Sequence, residues 1–245
     1  MHPASEPLRA AWADTPAEAR ARRRLAAIAI GGALLFLIAF AVAAALYPGG
    51  TWTNRRAPGH SLLANYLCDL MQERALNGQP AAVGALVIRA GALAMFIAIG
   101  AFYLLVARLE RPPGRAARLA RGVGVSAAAI ACTIPFLTSD RSRTAHLVAV
   151  VATFLPALVA TVAAARVCLR SPQTTPWIRA AALVALVAGG VDGFLYIFAY
   201  GAHALGLPPP LPVRRLVGDL IPVLQRIASV GVIAWVLALA ARARR

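Results

Sequence analysis

Three charged residues interrupt long apolar stretches of the sequence, and their types and depth could support chemistry. Arg89, Asp192 and Arg226 each lie about ten residues from one end of such a stretch, which on a helix places each roughly 15 Å below that end. Charges at this depth in a membrane are costly and usually face partners inside a bundle. Their excess positive charge could be met by an anionic ligand such as a lipid phosphate, which arginine binds through two hydrogen bonds. A structural ion-pair network is the alternative interpretation.

A second polar pattern precedes Arg89. Between Ser61 and Leu76, apolar residues recur at three- and four-residue spacing, and this predicts an amphipathic helix that Asn77-Gly78 would end. Its polar edge could meet a lipid headgroup, a cation or the arginines of the bundle, or it could simply be solvated. The candidate ligand-binding residues are Arg89, Arg226, Asp192, Asn65, Asp69 and Gln225.

Histidines and acids suggest a second kind of site. Asp140, His146 and His203 map to the same side of the predicted bundle as Asp69, and zinc commonly takes His and carboxylate ligands. Zinc-bound water could hydrolyse a lipid amide or ester. Against this, the sequence has no HxxxH, HExxH or CxxC spacing, so no cofactor is predicted and zinc stays an alternative.

Composition indicates the environment in which these residues lie. Apolar residues make up 60% of the 245-residue chain and charged residues only 14%, against about 45–50% and about 25% in soluble domains. The formal net charge is +16, and all 25 basic residues are arginine. Because these arginines flank apolar blocks instead of lining one face, membrane lipids are the predicted partners and nucleic acid is not. The sequence does not indicate an oligomeric state.

The apolar blocks predict an all-α bundle of six transmembrane helices, since each block reaches the ~20 residues that cross a bilayer. The predicted organisation is a tail over residues 1–24, a transmembrane domain over 25–241 with a first outer loop at 47–79, and a basic tail over 242–245. The predicted spans are Leu25–Leu46, Pro80–Ala107, Leu119–Thr138, Ala145–Leu169, Trp177–His203 and Arg215–Ala241.

Orientation follows from the arginines, because cytoplasmic segments carry the excess of basic residues. The side that holds both termini has 16 arginines and the opposite side has 7, while Arg89 and Arg226 lie inside spans. Both termini are therefore predicted to be cytoplasmic. The arginine-, alanine- and glycine-rich composition favours a bacterial inner membrane.

Several short motifs occur in order along these spans. Pro48-Gly49-Gly50 follows the first span, and Pro135, Asp140 and His146 mark the turn between the third and fourth. The remaining motif residues are Ser61, Asn65, Cys68, Asp69, Asn77-Gly78 and Gln225-Arg226. Over residues 25–241 the chain resembles the domain-of-unknown-function 998 family of six-helix membrane proteins, which is distantly similar to the FRAG, DRAM and Sfk membrane proteins. Cys68 departs from the serine expected before the aspartate.

The resemblance implies a fold and the position of a site, but no reaction; related groups imply lipid handling or membrane organisation. We expect a non-enzymatic multi-pass protein whose outward-facing polar pocket binds a lipid headgroup or a small anion. The alternatives are a metal-dependent membrane lipid hydrolase and a small transporter, in which Pro135, Pro156 and Pro222 would break helices.

Overall fold

The computed structural model describes residues 15–202, 206–207 and 210–244. Within these ranges the chain forms helices joined by turns, with two isolated β-bridges and no sheet. The long helices are α1 (Pro16–Ala45), α2 (Ala82–Val106), α3 (Arg115–Ala131), α4 (Arg143–Arg170), α5 (Pro176–Tyr196) and α6 (Leu211–Arg244). A 3₁₀ turn (Ala107–Leu109) extends α2, and a π-helical turn (Ile197–Gly201) extends α5. The predicted all-α class is confirmed.

Five of the described helices are long and apolar enough to cross a membrane, and α3 is the long helix that is not. The predicted third span, Leu119–Thr138, is wrong in its bounds: α3 begins earlier, at Arg115, and ends at Ala131. Residues 132–139 form turns instead. Pro135 contributes to this ending, because it has no N–H to donate to the Ala131 carbonyl, the hydrogen bond that would continue the helix. The five long helices make this chain a membrane protein.

The N-terminal part of α1 is helical before the predicted span begins. Thr15 caps the helix, and its side chain and that of Glu18 form a reciprocal capping box with the backbone. Pro16 follows at the first helical position, where its fixed φ suits a helix start. Part of the predicted polar tail therefore belongs to α1.

The helices pack as three hairpins, α1 with α2, α3 with α4 and α5 with α6, and α6 also packs on α1 to close the ring. At one end of the bundle, which we call the tail end, Arg22 in α1 donates to the Ala243 carbonyl near the end of α6. Arg108, which follows α2, donates to the Glu18 carbonyl, and Arg111 pairs with the Glu18 carboxylate at 3.7 Å. The starts of α1 and α3 and the ends of α2 and α6 therefore lie at the tail end.

The half of the bundle nearest the tail end has a core made largely of alanine. Small side chains let helix backbones approach closely, which is how membrane helices gain contact area. Gly32 of α1 shows the closest approach, since a Cβ there would lie 2.3 Å from the Ala94 carbonyl oxygen of α2. The larger buried side chains of this core are Phe102, Tyr103 and Trp235.

The segment between α1 and α2, residues 46–81, lies at the opposite end, which we call the loop end. We refer to this segment as the first loop. The predicted amphipathic helix from Ser61 to Leu76 is wrong, because the only helix there is a 3₁₀ turn at Leu67–Met71. Asn65 accepts a hydrogen bond from the Ser61 N–H at 2.9 Å, and Asp69 accepts one from the Tyr66 N–H at 2.8 Å. Such side-chain bonds to nearby backbone compete with the helical ladder.

Candidate functional site

The first loop fills the half of the bundle nearest the loop end. Tyr66 packs against Val217 and Ile221 of α6, while Leu70 and Met71 pack with residues of α1 and α2. The Tyr66 hydroxyl is 2.8 Å from that of Tyr200, beyond α5. The loop is therefore a packed part of the bundle, and it positions the polar residues described next.

Asp69 and Asn65 organise the interior of the loop, and both are fully buried. Besides the Tyr66 N–H, the Asp69 carboxylate accepts hydrogen bonds from Trp52 Nε1 at 3.2 Å, Gln72 Nε2 at 3.4 Å and Asn65 Nδ2 at 3.3 Å. Burial raises the pKa of Asp69 to about 6, although these hydrogen bonds oppose the shift. Because its acceptor positions are occupied within the loop, Asp69 has a structural role.

Arg226 and Gln225 of α6 bind the first loop through hydrogen bonds to its backbone. Arg226 Nη2 donates to the Asn65 carbonyl at 2.8 Å, and Gln225 Oε1 accepts from the Leu67 N–H at 3.1 Å. Among the described residues, Nε and Nη1 of Arg226 and Oδ1 of Asp192 are buried without a hydrogen-bond partner. Asp192 also lies close enough to Arg226 for their charges to interact. The structure thus brings together five of the six candidate ligand-binding residues, Asn65, Asp69, Asp192, Gln225 and Arg226.

Arg89 belongs to a different group. Its Nε donates to the Met71 carbonyl at 2.9 Å, and its Nη1 lies 3.2 Å from the Glu73 carboxylate. Arg141, in the turn after α3, also pairs with Glu73. Hydrogen bonds from Arg141 and Arg89 hold the pKa of Glu73 below its usual range. Of the three charged residues within predicted spans, Arg89 alone therefore forms an ion pair among the described residues, and its partner belongs to the first loop.

An open cleft lies beside the loop, between it and the loop-end parts of α4, α5 and α6. We call it the loop-end cleft; its volume is about 860 Å³. Four arginines and two aspartates line it, together with an aromatic wall: Arg55, Arg74, Arg143, Arg215, Asp140, Asp219, Trp52, Tyr66, Tyr196 and Tyr200. The lining therefore carries a formal excess of two positive charges. None of the six candidate ligand-binding residues lines this cleft.

Sequence reasoning missed the arginines of this cleft. Arg143 begins α4, Arg215 lies in the second turn of α6, and Arg55 and Arg74 lie in the first loop. These four entered the sequence argument only as basic residues counted for orientation. The sequence feature that could have indicated them is their position on the predicted outer side, which is otherwise poor in arginine.

The candidate metal residues are divided by the structure. Asp140 and His146 both line the loop-end cleft, and His146 Nδ1 is 2.7 Å from the Leu137 carbonyl. Asp69 is enclosed in the first loop, and His203 lies outside the described residues. Across the described ranges, no three His, Cys, Asp or Glu side chains form a group that could hold a metal ion.

Comparison with protein-family models, with curated proteins and with solved structures found no match to this chain. The class of protein is therefore defined by the fold and the cleft. It is an all-helical membrane protein with a packed first loop and an arginine-rich cleft beside that loop.

Proposed function

We propose that this chain is a six-span membrane protein whose loop-end cleft binds a phosphate-bearing lipid headgroup or another small anion. The observation that carries the proposal is the cleft lining, with four arginines against two aspartates. Arginine binds phosphate through a planar fork of donors, and a recessed site strengthens that attraction over one on an open surface. The volume of about 860 Å³ is in the range of small-molecule sites.

The guanidinium groups of the cleft have no carboxylate partner in the described part of the chain. Among the described residues, Arg143 and Arg215 form no ion pair, and Asp140 and Asp219 form none either. Arg55 donates to the Leu76 carbonyl at 3.1 Å and stacks over Trp52, which leaves its charge unpaired. An anion entering the cleft would therefore meet arginines without displacing a carboxylate.

Six spans with both termini on one face are part of this proposal. Five helices have the length and composition to cross, and α3 with the turn after it supplies the sixth crossing. The support is that Arg111, just before α3, pairs with Glu18 at the tail end, whereas Ser139, just after it, bonds Gln72 of the first loop at 3.0 Å. The arginine bias then favours cytoplasmic termini in a bacterial inner membrane.

Membership of the domain-of-unknown-function 998 family is likewise proposed. Supporting it, the motif residues Asn65, Asp69, Gln225 and Arg226 converge on one interior cluster. These residues lie far apart in the chain but meet in the fold. Their convergence supports the family resemblance more strongly than the separate short motifs do.

The test measures binding of a soluble headgroup and of inorganic phosphate to the purified protein in a neutral detergent. Isothermal titration with glycerol phosphate should give saturable binding, and the double variant Arg143→Gln/Arg215→Gln should weaken it about 10-fold or more, since a hydrogen bond to a charged group is lost at each position. Gly218→Leu should also weaken it, because Gly218 lines the cleft and has open space where a Cβ would stand. Weaker binding of inorganic phosphate than of glycerol phosphate would assign the cleft to a lipid headgroup.

Two variants in α1, away from the loop-end cleft, serve as controls. Arg23→Gln/Arg24→Gln removes two exposed charges from α1, and Gly31→Leu adds a side chain into open space on that helix. Both should bind glycerol phosphate as the unmodified protein does. Equal affinity in the cleft variants, or no binding by any form, would overturn the proposal.

A further inference from the structure

A second basic surface lies on α3, at the tail end and therefore far from the loop-end cleft. Its first two turns carry Arg115, Arg118 and Arg121, all exposed. Below the first two arginines a shallow groove of about 440 Å³ runs along the outside of the helix. The groove is lined by Arg115, Arg118, Leu119, Gly122, Val123 and Ser126. The opposite face of α3 is buried through Ala117, Ala120, Gly124 and Ala127, so the groove faces the exterior of the bundle.

Among the described residues, no carboxylate forms an ion pair with Arg115, Arg118 or Arg121. Two carboxylates lie near this end in the described part of the chain; one is engaged with α1 and the other lies at the start of α3, and neither forms an ion pair with Arg115 or Arg118. Glu18 pairs with Arg111 and caps α1, while Glu110 accepts from the Gly114 N–H at 3.1 Å. Arg118 Nη1 bonds only the Pro113 carbonyl, at 2.8 Å, which leaves its positive charge unpaired among the described residues.

The floor of the groove has no protein occupant. No heavy atom lies within 4 Å of the position where a Cβ on Gly122 would stand. Leu119 and Val123 form apolar walls beside this gap. From Arg118 to Ser126 the helix rises roughly 12 Å, a length comparable to the upper part of an extended acyl chain.

We propose that this groove binds one anionic phospholipid of the leaflet at the tail end, with its phosphate on Arg115 and Arg118 and one acyl chain lying over Gly122. Charge complementarity selects this occupant, because two unpaired guanidinium groups stand directly above an apolar channel. The other five long helices are of membrane length, so a groove on the outer face of α3 opens toward lipid. The bound acyl chain would also cover the outer face of α3, the described long helix whose apolar stretch is too short to cross a membrane by itself.

The experiment uses native mass spectrometry of the full chain in detergent, with equal amounts of phosphatidylglycerol and phosphatidylcholine. The unmodified protein should retain phosphatidylglycerol preferentially. Arg115→Gln/Arg118→Gln should reduce this preference about 10-fold or more, because each arginine contributes to the attraction of an anionic headgroup. Gly122→Leu should reduce it as well, by filling the channel while all the arginines remain.

Gly122→Leu guards against a folding artefact, because the added side chain meets open space and leucine favours a helix more than glycine does. Gly31→Leu and Arg23→Gln/Arg24→Gln are matched controls for added volume and lost charge, and both should retain phosphatidylglycerol normally. An unchanged lipid preference in the groove variants, or equal retention of phosphatidylcholine by the unmodified protein, would overturn the proposal. Binding of glycerol phosphate at the loop-end cleft should survive in both groove variants, so the two proposals fail independently.

Discussion

The two halves of the bundle are filled in different ways. Toward the tail end, helices contact one another directly through alanines such as Ala26, Ala29 and Ala33, and aromatic side chains fill what remains. Toward the loop end, the first loop enters between the helices and contributes Tyr66, Leu70 and other residues to the core. One half is held by close helix packing and the other by hydrogen bonds to a folded loop.

This difference separates the stabilising region from the region suited to binding. The interior of the tail half has little room for a ligand, since α1 and α2 approach to backbone contact at Gly32; the groove on α3 lies on its outer surface. The loop half has a cleft of about 860 Å³. Changes in the tail half should therefore lower the stability of the whole bundle, whereas changes in the loop half should act locally.

The largest effect is expected from overfilling the tail half. Gly32→Val should destabilise the bundle by about 3 kcal/mol or more, because its Cβ would meet the Ala94 carbonyl oxygen at 2.3 Å and the Ala98 Cβ at 2.8 Å. The thermal midpoint of the purified protein, followed by circular dichroism, measures this loss. Gly31→Val is the matched control, since that neighbouring glycine has nothing within 4 Å. Equal loss in both variants would show that close approach at Gly32 does not hold the tail half together.

A smaller and more local effect is expected from the loop half. Asp69→Ala removes an acceptor from four buried or partly buried donors, so opening of the first loop should become easier by about 2–3 kcal/mol. Maleimide modification of Cys68 reports this opening, because the thiol is only partly exposed at the wall of the loop-end cleft while the loop is closed, and burial there raises its pKa. In a Cys132→Ser background the modification rate should rise about 30-fold or more.

The control for this loop variant is Asp219→Ala, which removes an exposed carboxylate of the loop-end cleft. It should leave the rate of Cys68 modification unchanged. A rise of similar size in this control, or loss of the whole helical signal in Asp69→Ala, would contradict the separation between the two halves.

The helices were largely predictable from the sequence, because hydrocarbon thickness requires long apolar segments whatever their neighbours are. Five of the six predicted spans correspond to helices of membrane length. The third differs because Arg115, Arg118 and Arg121 occupy its first two turns and Pro135 follows its end, so its apolar length falls short. Here local residues, and not the overall hydropathy, set the helix bounds.

The loop and the cleft were less predictable, because both depend on contacts between distant residues. The four-residue spacing of Ser61, Asn65 and Asp69 suits a helix, yet in the structure the side chains of Asn65 and Asp69 bond the local backbone of the loop. Arg226 meets this segment through the backbone carbonyl of Asn65, and not through the polar helix edge that the spacing predicted. The arginines of the cleft were not anticipated, since only the fold brings Arg55, Arg143 and Arg215 together.

The smallest expected effect is a dependence on pH that belongs to the loop half alone. His60 packs against the rings of Phe40 and Tyr47, and burial, assisted by the charge of Arg226, lowers the pKa of His60 to about 4. Unfolded, this histidine titrates near its ordinary value of about 6.5. It therefore stabilises the closed loop fully above about pH 6.5, and that contribution is lost progressively as the pH falls toward about 4.

A His60→Gln variant isolates this contribution. Thermal unfolding of the unmodified protein and of the variant should be compared between pH 4.5 and 7.5. Their difference in stability should shrink on acidification by about 1–2 kcal/mol, a value reduced for the partial exposure of the ring. Asp69 acts in the opposite direction, because its raised pKa favours the closed loop in acid, but it is present in both proteins and cancels in the difference. Parallel pH profiles would mean that His60 is solvated in the folded loop, and that the loop half is less tightly packed than its contacts with Phe40 and Tyr47 indicate.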